Sequence, residues 1–311
     1  MIGLGSFLIF RISVYDFNRN IRISKFKRKV VVIMASVTGR ISAIKQPRGG
    51  YIKPSEFDAI ILDDGIVLNA EENVHGSVIG MAVDYLTRFI KGADIKDAFK
   101  ISLQGAMIAE KLGVKKAMSI AEKLLKEIKG LDDNSVVNTC KLVTFDVWYR
   151  NPLGAMMAKE YSEVNPDKAT IENIQTLVNR SLTFFEKYGF IIKDGFTFEP
   201  AKPDDKAYEK MIKTGKGSYG GYTYTVESGD GDFLTADTLW DFKVSKSKPT
   251  NKHTLQLLMY WIMGQHSGQD VFKGITKLGI FNPRLNTVYL LDMFKVSADI
   301  IKTVEKEVIC Y

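Results

Sequence analysis

The spacing of apolar residues changes after Gly189, and this change limits the fold more than any other feature. From about Asn69 to Gly189 apolar residues recur at intervals of three and four, as Ile79 and Val83 do, which predicts a series of helices. After Gly189 the interval becomes two, which predicts strands. We therefore expect an α/β fold, a mixed sheet core flanked by helices, with a helical insertion at about 92–188.

Turn and capping signals divide this pattern into elements. Asp63-Asp64-Gly65 and Asp194-Gly195 each predict a hairpin turn. The first predicted helix begins near Asn69 and carries Ile79, Val83, Leu86 and Ile90. Further predicted helices cover about 94–112, 114–129, 170–189, 204–214, 253–264 and 297–308, and the predicted strands of the last third cover about 231–234, 239–244, 274–283 and 286–293. The glycine-rich segment at 215–218 lacks the spacing of a phosphate-binding loop and leads into a strand, so we interpret it as a flexible loop.

The net charge of +7 is concentrated at the beginning of the chain. Residues 1–33 hold seven basic residues and one acidic residue, which leaves a net charge of +1 for 34–311. We predict a basic extension at 1–33, either disordered or an upstream misannotation with Met34 as the true start, and one domain at 34–311. The basic extension, rather than the domain, therefore accounts for the overall charge.

Hydropathy and cysteine content indicate the compartment. The chain has no uninterrupted apolar run of the ~20 residues that a membrane-spanning helix needs, so no membrane partner is expected. Its two cysteines, Cys140 and Cys310, are far apart and have no CxxC partner. They predict neither a disulfide framework nor an iron–sulfur cluster, and a reducing cytoplasmic setting fits them.

A small set of charged residues between 231 and 260 offers chemistry. Asp241 and Lys243 alternate with Trp240 and Phe242 along a predicted strand, so the two charged side chains should point to one face. Asp232 lies near the start of the preceding predicted strand. Two carboxylates suit Mg²⁺ or Mn²⁺, with the backbone carbonyl of Phe242 as a further ligand, and Lys243 could orient a water molecule or a phosphate. The alternative is an exposed ion pair on an edge strand.

The order of the motifs resembles the PD-(D/E)xK nuclease superfamily, and within it the RecB-type exonuclease-like group. That group has an acidic motif on one strand, Asp/Glu-x-Lys on the next, and then a helix with Gln and, four residues on, Tyr. Here these are Asp232, Asp241 with Lys243, and Gln256 with Tyr260. The resemblance implies a restriction-endonuclease-like fold, metal binding by the two acids, and Gln and Tyr beside the metal that help to place DNA.

The resemblance also implies a residue on an upstream helix that faces the metal. Asp84 stands where the family usually has His, so it is a candidate metal ligand, with an ordinary surface Asp as the alternative. His75 is another candidate, against a role as a helix cap. Glu199 and Glu209 could supply a further carboxylate.

Lysines follow the candidate site directly. Lys246, Lys248 and Lys252 form a local basic cluster that could bind a phosphate backbone without reading sequence, or simply be solvated. Trp240 and Trp261 could stack on bases, although their apolar neighbours favour the core.

These features together predict a function. The chain is expected to be a Mg²⁺-dependent (or Mn²⁺-dependent) deoxyribonuclease that hydrolyses phosphodiester bonds. The alternative is a non-catalytic nucleic-acid-binding or assembly subunit with a nuclease-like fold and protein partners. A serine or cysteine hydrolase is disfavoured, because the chain has no GxSxG elbow.

Overall fold

A mixed sheet forms the centre of this computed structural model, which describes residues 35–155, 157–198, 222–223 and 225–311. The strands run in the order β2-β8-β7-β6-β5-β3, with β6 and β7 parallel and the other neighbours antiparallel. They are β2 (Asp58–Ile61), β3 (Lys193–Thr197), β5 (Asp230–Leu234), β6 (Thr238–Phe242), β7 (Lys277–Asn282) and β8 (Thr287–Asp292). A second, two-stranded parallel pair joins β1 (Ala35–Ser36) and β4 (Val226–Ser228).

Helices cover the two faces of the large sheet. The helices are α1 (Val37–Ala43), α2 (Gly76–Ile90), α3 (Ile95–Ala98), α4 (Lys100–Lys111), α5 (Ala117–Lys126), α6 (Asp133–Leu142), α7 (Asp146–Arg150), α8 (Pro152–Ala155), α9 (Lys168–Tyr188), α10 (Asn251–His266) and α11 (Ala298–Thr303), which continues as a π-helix over Val304–Ile309. The prediction of an α/β fold with a mixed sheet flanked by helices is confirmed.

The two faces of the sheet are packed differently. On one face, Leu239 and Leu278 pack with apolar residues of α10 such as Leu258, in the largest core cluster. On the other, Phe184 of α9 stacks on Phe281 with ring centroids 4.1 Å apart and meets Trp240 edge-on at 4.9 Å. Because side chains alternate along β6, its apolar residues are divided between two cores. Asp241 lies on the same face as Leu239, the face that packs against α10.

The helices from α3 to α9 occupy Ile95–Tyr188 and share a separate core with α2. Aspartates cap several of them: Asp132 accepts from the Ser135 N–H at 3.0 Å, and Asp167 accepts from the Thr170 N–H at 2.8 Å. Such caps satisfy the free N–H groups of a first helical turn.

Two predicted hairpins are absent from the described residues. Asp63-Asp64-Gly65 forms a turn, but the chain after it does not return as a strand, and β2 pairs with β8 instead. Asp194-Gly195 lies inside β3, where Asp194 pairs with Phe233. Both segments match the local chemistry of a turn and therefore predict a chain reversal. The strand that pairs with β2 or with β3 lies elsewhere in the chain.

Several predictions fall outside the described residues. These are the basic extension at 1–33, Glu199, Glu209, the helix at 204–214 and the glycine-rich segment at 215–218. Within the described ranges, none of the helices combines the length and the hydrophobicity that a bilayer crossing requires.

Candidate functional site

Asp232, Asp241 and Lys243 meet where β5 and β6 separate. The two strands pair at Leu234–Leu239 and Phe233–Trp240, and this register puts Asp232 opposite Asp241. There the Asp232 carboxylate, rather than a main-chain carbonyl, accepts the Phe242 N–H, through Oδ2 at 2.6 Å. The Asp232 carboxylate therefore takes the place of a main-chain acceptor in the ladder and lies between β5 and β6.

The prediction that Asp241 and Lys243 share a face agrees with their contact. Lys243 Nζ lies 2.8 Å from Asp241 Oδ1, with the side chains 29% and 4% exposed. The other oxygen, Asp241 Oδ2, is buried and has no hydrogen-bond partner among the described residues. Buried carboxylate oxygens are normally hydrogen-bonded or bound to a cation, so this oxygen fits a ligand position.

The electrostatics of the three residues favour an added positive charge. Burial, and next the negative charge of Asp241, raise the pKa of Asp232 to about 7, although Lys243 opposes the shift. Burial acts to lower the pKa of Lys243, but Asp241 and Asp232 outweigh it, so this pKa is raised and the amine stays protonated. The raised pKa shows that the ionised form of Asp232 is disfavoured in this buried place, and a bound divalent cation would stabilise that form.

Gln256 and Tyr260 lie on one face of α10, as their spacing predicts. Gln256 Nε2 donates to Tyr260 Oη at 3.1 Å, and both side chains are buried. Burial raises the pKa of Tyr260, and the charges of Asp241 and Asp232 add to this effect while the Gln256 hydrogen bond opposes it. The tyrosine therefore stays neutral, within electrostatic range of the acids.

His253 belongs to the same helix face and was not predicted as a site residue. It precedes Gln256 by three positions, and its Nδ1 accepts the Thr250 N–H at 3.2 Å in a capping box. Burial and the charge of Lys243 lower the pKa of His253, with Asp241 opposing. The spacing of three residues between His253 and Gln256 was the sequence signal that the two share a helix face. Its role in the capping box made this signal harder to recognise.

Asp84 approaches the site from α2 but is already paired. Its Oδ1 lies 2.9 Å from Arg88 Nε, and Arg88 Nη1 lies 3.0 Å from Asp194 Oδ1 on β3. Burial acts to lower the pKa of Arg88, but the negative charges of Asp84, Asp194 and Asp232 outweigh it, so this pKa is raised. The chain of Asp84, Arg88 and Asp194 thus links α2 to the sheet beside Asp232.

The carboxylates do not form a complete metal cage. Across the part of the chain that the structure describes, no group of three or more His, Cys, Asp or Glu side chains is arranged to hold a metal ion. The protein therefore offers two carboxylates, Asp232 and Asp241. Mg²⁺ is commonly held by one or two carboxylates, with water and substrate phosphates completing its six positions, so the pair fits that ion.

Phe242 takes part through its main chain. Its N–H is used by Asp232, and its ring packs near Phe281 on the opposite face, with centroids 5.9 Å apart. A role for its carbonyl oxygen as a metal ligand stays a prediction.

A cavity of about 340 Å³ opens beside Asp232. Charged side chains line one part of it, among them Asp84, Arg88 and Lys91, and apolar side chains such as Phe185 and Phe233 line the rest. Lys91 Nζ lies 4.3 Å from the centre of the Phe185 ring. Of the three central residues of the site, Asp232 is the one that lines this cavity.

The basic cluster after the site is partly engaged. Lys246 Nζ lies 3.6 Å from Glu72 Oε2, and Glu72 also binds Arg284 at 2.8 Å in a buried pair. Lys248 and Lys252 are exposed, and Lys252 lies in the first turn of α10. Of the three predicted phosphate-binding lysines, Lys246 is thus the one already held by an acid.

The other candidates have structural roles. His75 caps α2, and its Nδ1 accepts the Ser77 N–H at 3.3 Å. Trp240 is 1% exposed in the core, and Trp261 Nε1 donates to the Ile275 carbonyl at 2.8 Å while packing against the α10 core. Neither tryptophan is a free stacking surface.

Comparisons with known proteins add no identification. The chain matches no protein-family model, no curated protein and no solved structure.

Proposed function

We propose that this chain is a metal-dependent nuclease with a restriction-endonuclease-like fold, related to the PD-(D/E)xK superfamily, and that its substrate is DNA. The observation that carries the proposal is the meeting of Asp232, Asp241 and Lys243, with the partnerless Asp241 Oδ2 buried beside a second carboxylate. The ordered motifs that end in Gln256 and Tyr260 support it. The cysteine content, two cysteines far apart with no CxxC partner, suggests a cytoplasmic enzyme.

Asp232 and Asp241 would hold Mg²⁺ or Mn²⁺, with the Phe242 carbonyl as a further ligand. When bound, the ion would polarise the phosphate and lower the pKa of a water molecule. Hydrolysis adds that water to phosphorus and breaks one P–O bond, which releases an alcohol and a phosphate monoester.

Lys243 has the central protein role in this scheme. Asp241 fixes its amine at 2.8 Å, and the neighbouring acids keep it protonated. It can therefore orient the attacking water or stabilise the charge that grows on the phosphate oxygens. Gln256 and Tyr260, joined by their own hydrogen bond, would orient the strand.

The test compares two lysines. Lys243→Ala should lower metal-dependent cleavage of labelled single- and double-stranded DNA by about 10²-fold or more, because it removes a preorganised charge. Lys277→Ala is the matched control, since Lys277 also lies 2.8 Å from an aspartate, Asp237, but at the other end of the sheet strands. A wild-type chain inert with both Mg²⁺ and Mn²⁺, or equal activity in Lys243→Ala, would contradict the proposal.

One observation favours the second candidate, a non-catalytic nucleic-acid-binding subunit. Asp84 is held by Arg88, and the described residues give no third metal-binding side chain. Such a subunit would retain DNA in EDTA and cut none of it with either ion. The same assay, read for both binding and cleavage, therefore separates the two functions.

A further inference from the structure

A buried polar network in the helical layer fixes one arginine. Asp146, at the start of α7, accepts from Tyr85 Oη and from Ser102 Oγ, each at 2.5 Å. Arg150, one turn later, places Nε 3.7 Å from Asp146 Oδ2 and Nη2 3.4 Å from Tyr85 Oη. Two hydroxyl groups and one cation thus surround a carboxylate that is removed from water.

Arg150 differs from its partners in exposure. Its side chain is 55% exposed, whereas that of Asp146 is 1% exposed. A guanidinium has five N–H donors in a planar fork, and the contacts with Asp146 and Tyr85 engage only one side of it. The buried network therefore holds one edge of the Arg150 guanidinium and leaves the rest of it open to solvent.

The position of Arg150 relates it to the candidate site. Tyr85, which it contacts, directly follows Asp84 on α2. Burial acts to lower the pKa of Arg150, but the hydrogen bond and charge of Tyr85 and the charges of Asp146 and Asp230 outweigh it, so this pKa is raised. Asp230 is exposed and begins β5, two positions before Asp232. Arg150 thus contacts α2 at the residue next to Asp84, and the charge of the first residue of β5, the strand that carries Asp232, acts on it.

We propose that Arg150 is a phosphate-binding residue, which contacts the backbone of the nucleic acid strand beside the candidate site. An arginine already ordered by protein contacts loses little freedom on binding and can engage a phosphate bidentately. Asp146 and Tyr85 hold the guanidinium in the free protein, and its exposed edge is free to take a phosphate. The inference depends on the proposed nucleic-acid function, and it gives the helical layer a part in substrate binding.

The experiment measures DNA binding without cleavage, by fluorescence anisotropy of a labelled oligonucleotide in EDTA over a range of salt concentrations. Arg150→Ala should raise Kd about tenfold or more and reduce the slope of log K against log salt by about 0.7 to 0.9. Arg150→Lys keeps the charge, so it should restore the slope and part of the affinity. Lys168→Ala is the control, because Lys168 is exposed, lies in the same helical layer and pairs with Asp133 at 3.0 Å.

The outcomes separate this inference from the proposed function. Loss of affinity and slope in Arg150→Ala, with both retained in Lys168→Ala, supports the inference even if no DNA is cut. Wild-type affinity and slope in Arg150→Ala would overturn it even if DNA is cut, and so would a wild-type chain that binds no DNA at low salt. If Arg150→Ala does not fold, an Arg150→Lys chain with a reduced slope would also overturn it.

Discussion

Among single residues, Glu72 gives the clearest example of a buried charge that depends on its partners. It binds Arg284 at 2.8 Å, with both side chains almost fully buried, and accepts from Asn173 Nδ2 at 2.9 Å. Burial acts to raise the pKa of Glu72, but the hydrogen bonds from Arg284 and Asn173 and the charges of Arg284 and Lys246 outweigh it, so the pKa is lowered. The ionised form is therefore the one that stabilises the fold.

We expect the stabilisation by Glu72 to disappear in acid. A carboxylate with a lowered pKa contributes its full stability above its usual pKa and loses it as the pH falls through the lowered value. Glu72→Gln should reduce the free energy of unfolding by about 3 kcal/mol at pH 7, because Arg284 is left buried without its charge partner. The difference from wild type, measured by urea unfolding, should shrink as the pH approaches 3.

A control and a contrary result complete this test. Asp270→Asn breaks the exposed pair of Asp270 with Lys273 and should change stability little at either pH. A constant difference between wild type and Glu72→Gln from pH 7 to pH 3 would show that the ionised carboxylate is not responsible.

Within the candidate site, contacts between residues close in sequence were easier to predict than contacts between distant residues. Alternation along a strand was enough to place Asp241 with Lys243, and helical spacing was enough to place Gln256 with Tyr260. The pairing of Asp84 with Arg88 also lay within reach of helical spacing. Its extension to Asp194 did not, because that contact joins residues 106 positions apart.

At the level of elements, the contact between β6 and β7 depends on a glycine. Gly279 pairs with Trp240, and a Cβ at Gly279 would overlap the Trp240 ring. The same relation recurs between β5 and β3, where the Phe196 ring covers Gly231, the residue just before Asp232. In both places a large aromatic side chain packs against a glycine and fills the space that a Cβ would need.

Gly279→Ala should therefore disturb the centre of the sheet. We expect a loss of about 2 kcal/mol in the free energy of unfolding, since the Trp240 ring must move within a packed core. Gly130→Ala is the control, because a Cβ there has no neighbour within 4 Å. Urea unfolding measures both, and equal stability of the two variants would refute the role of this contact.

The strands were harder to predict than the long helices. The helix predicted at 170–189 is observed as Lys168–Tyr188, because local periodicity and the Asp167 cap are both contained in the segment. Asp194-Gly195 was assigned to a hairpin turn, yet it lies in β3, with Gly195 at a φ of +63°. By the register of β3 with β5, that left-handed residue falls opposite Asp232. Gly195 does adopt the left-handed conformation that the turn signal indicates. This conformation occurs inside β3, however, and β3 pairs with a strand that begins 35 residues after Gly195.

For the whole molecule, the proposed binding of a divalent cation has a consequence for thermal stability. If Asp232 and Asp241 hold Mg²⁺ or Mn²⁺, the ion binds the folded chain and raises its melting temperature, by the equivalent of about 2.7 kcal/mol at 100 times Kd. Asp241→Asn should abolish the rise, because it removes one of the two carboxylates and part of their repulsion.

The matched control for this measurement is Asp237→Asn. Asp237 pairs with Lys277 at the opposite end of β6, so the rise in melting temperature should be retained. Differential scanning fluorimetry with and without each ion gives the result in the absence of any substrate. An equal rise in Asp241→Asn and wild type would place the ion elsewhere.

The carboxylate that stands between β5 and β6 makes one amide unusual. Most ladder amides exchange their hydrogen for deuterium when the sheet opens, but the Phe242 amide is covered by the Asp232 side chain. Its exchange rate should therefore follow the rotation and protonation of a single carboxyl group. In an NMR spectrum the Phe242 signal would report on Asp232 directly, while the signals of the neighbouring amides report on the stability of the sheet.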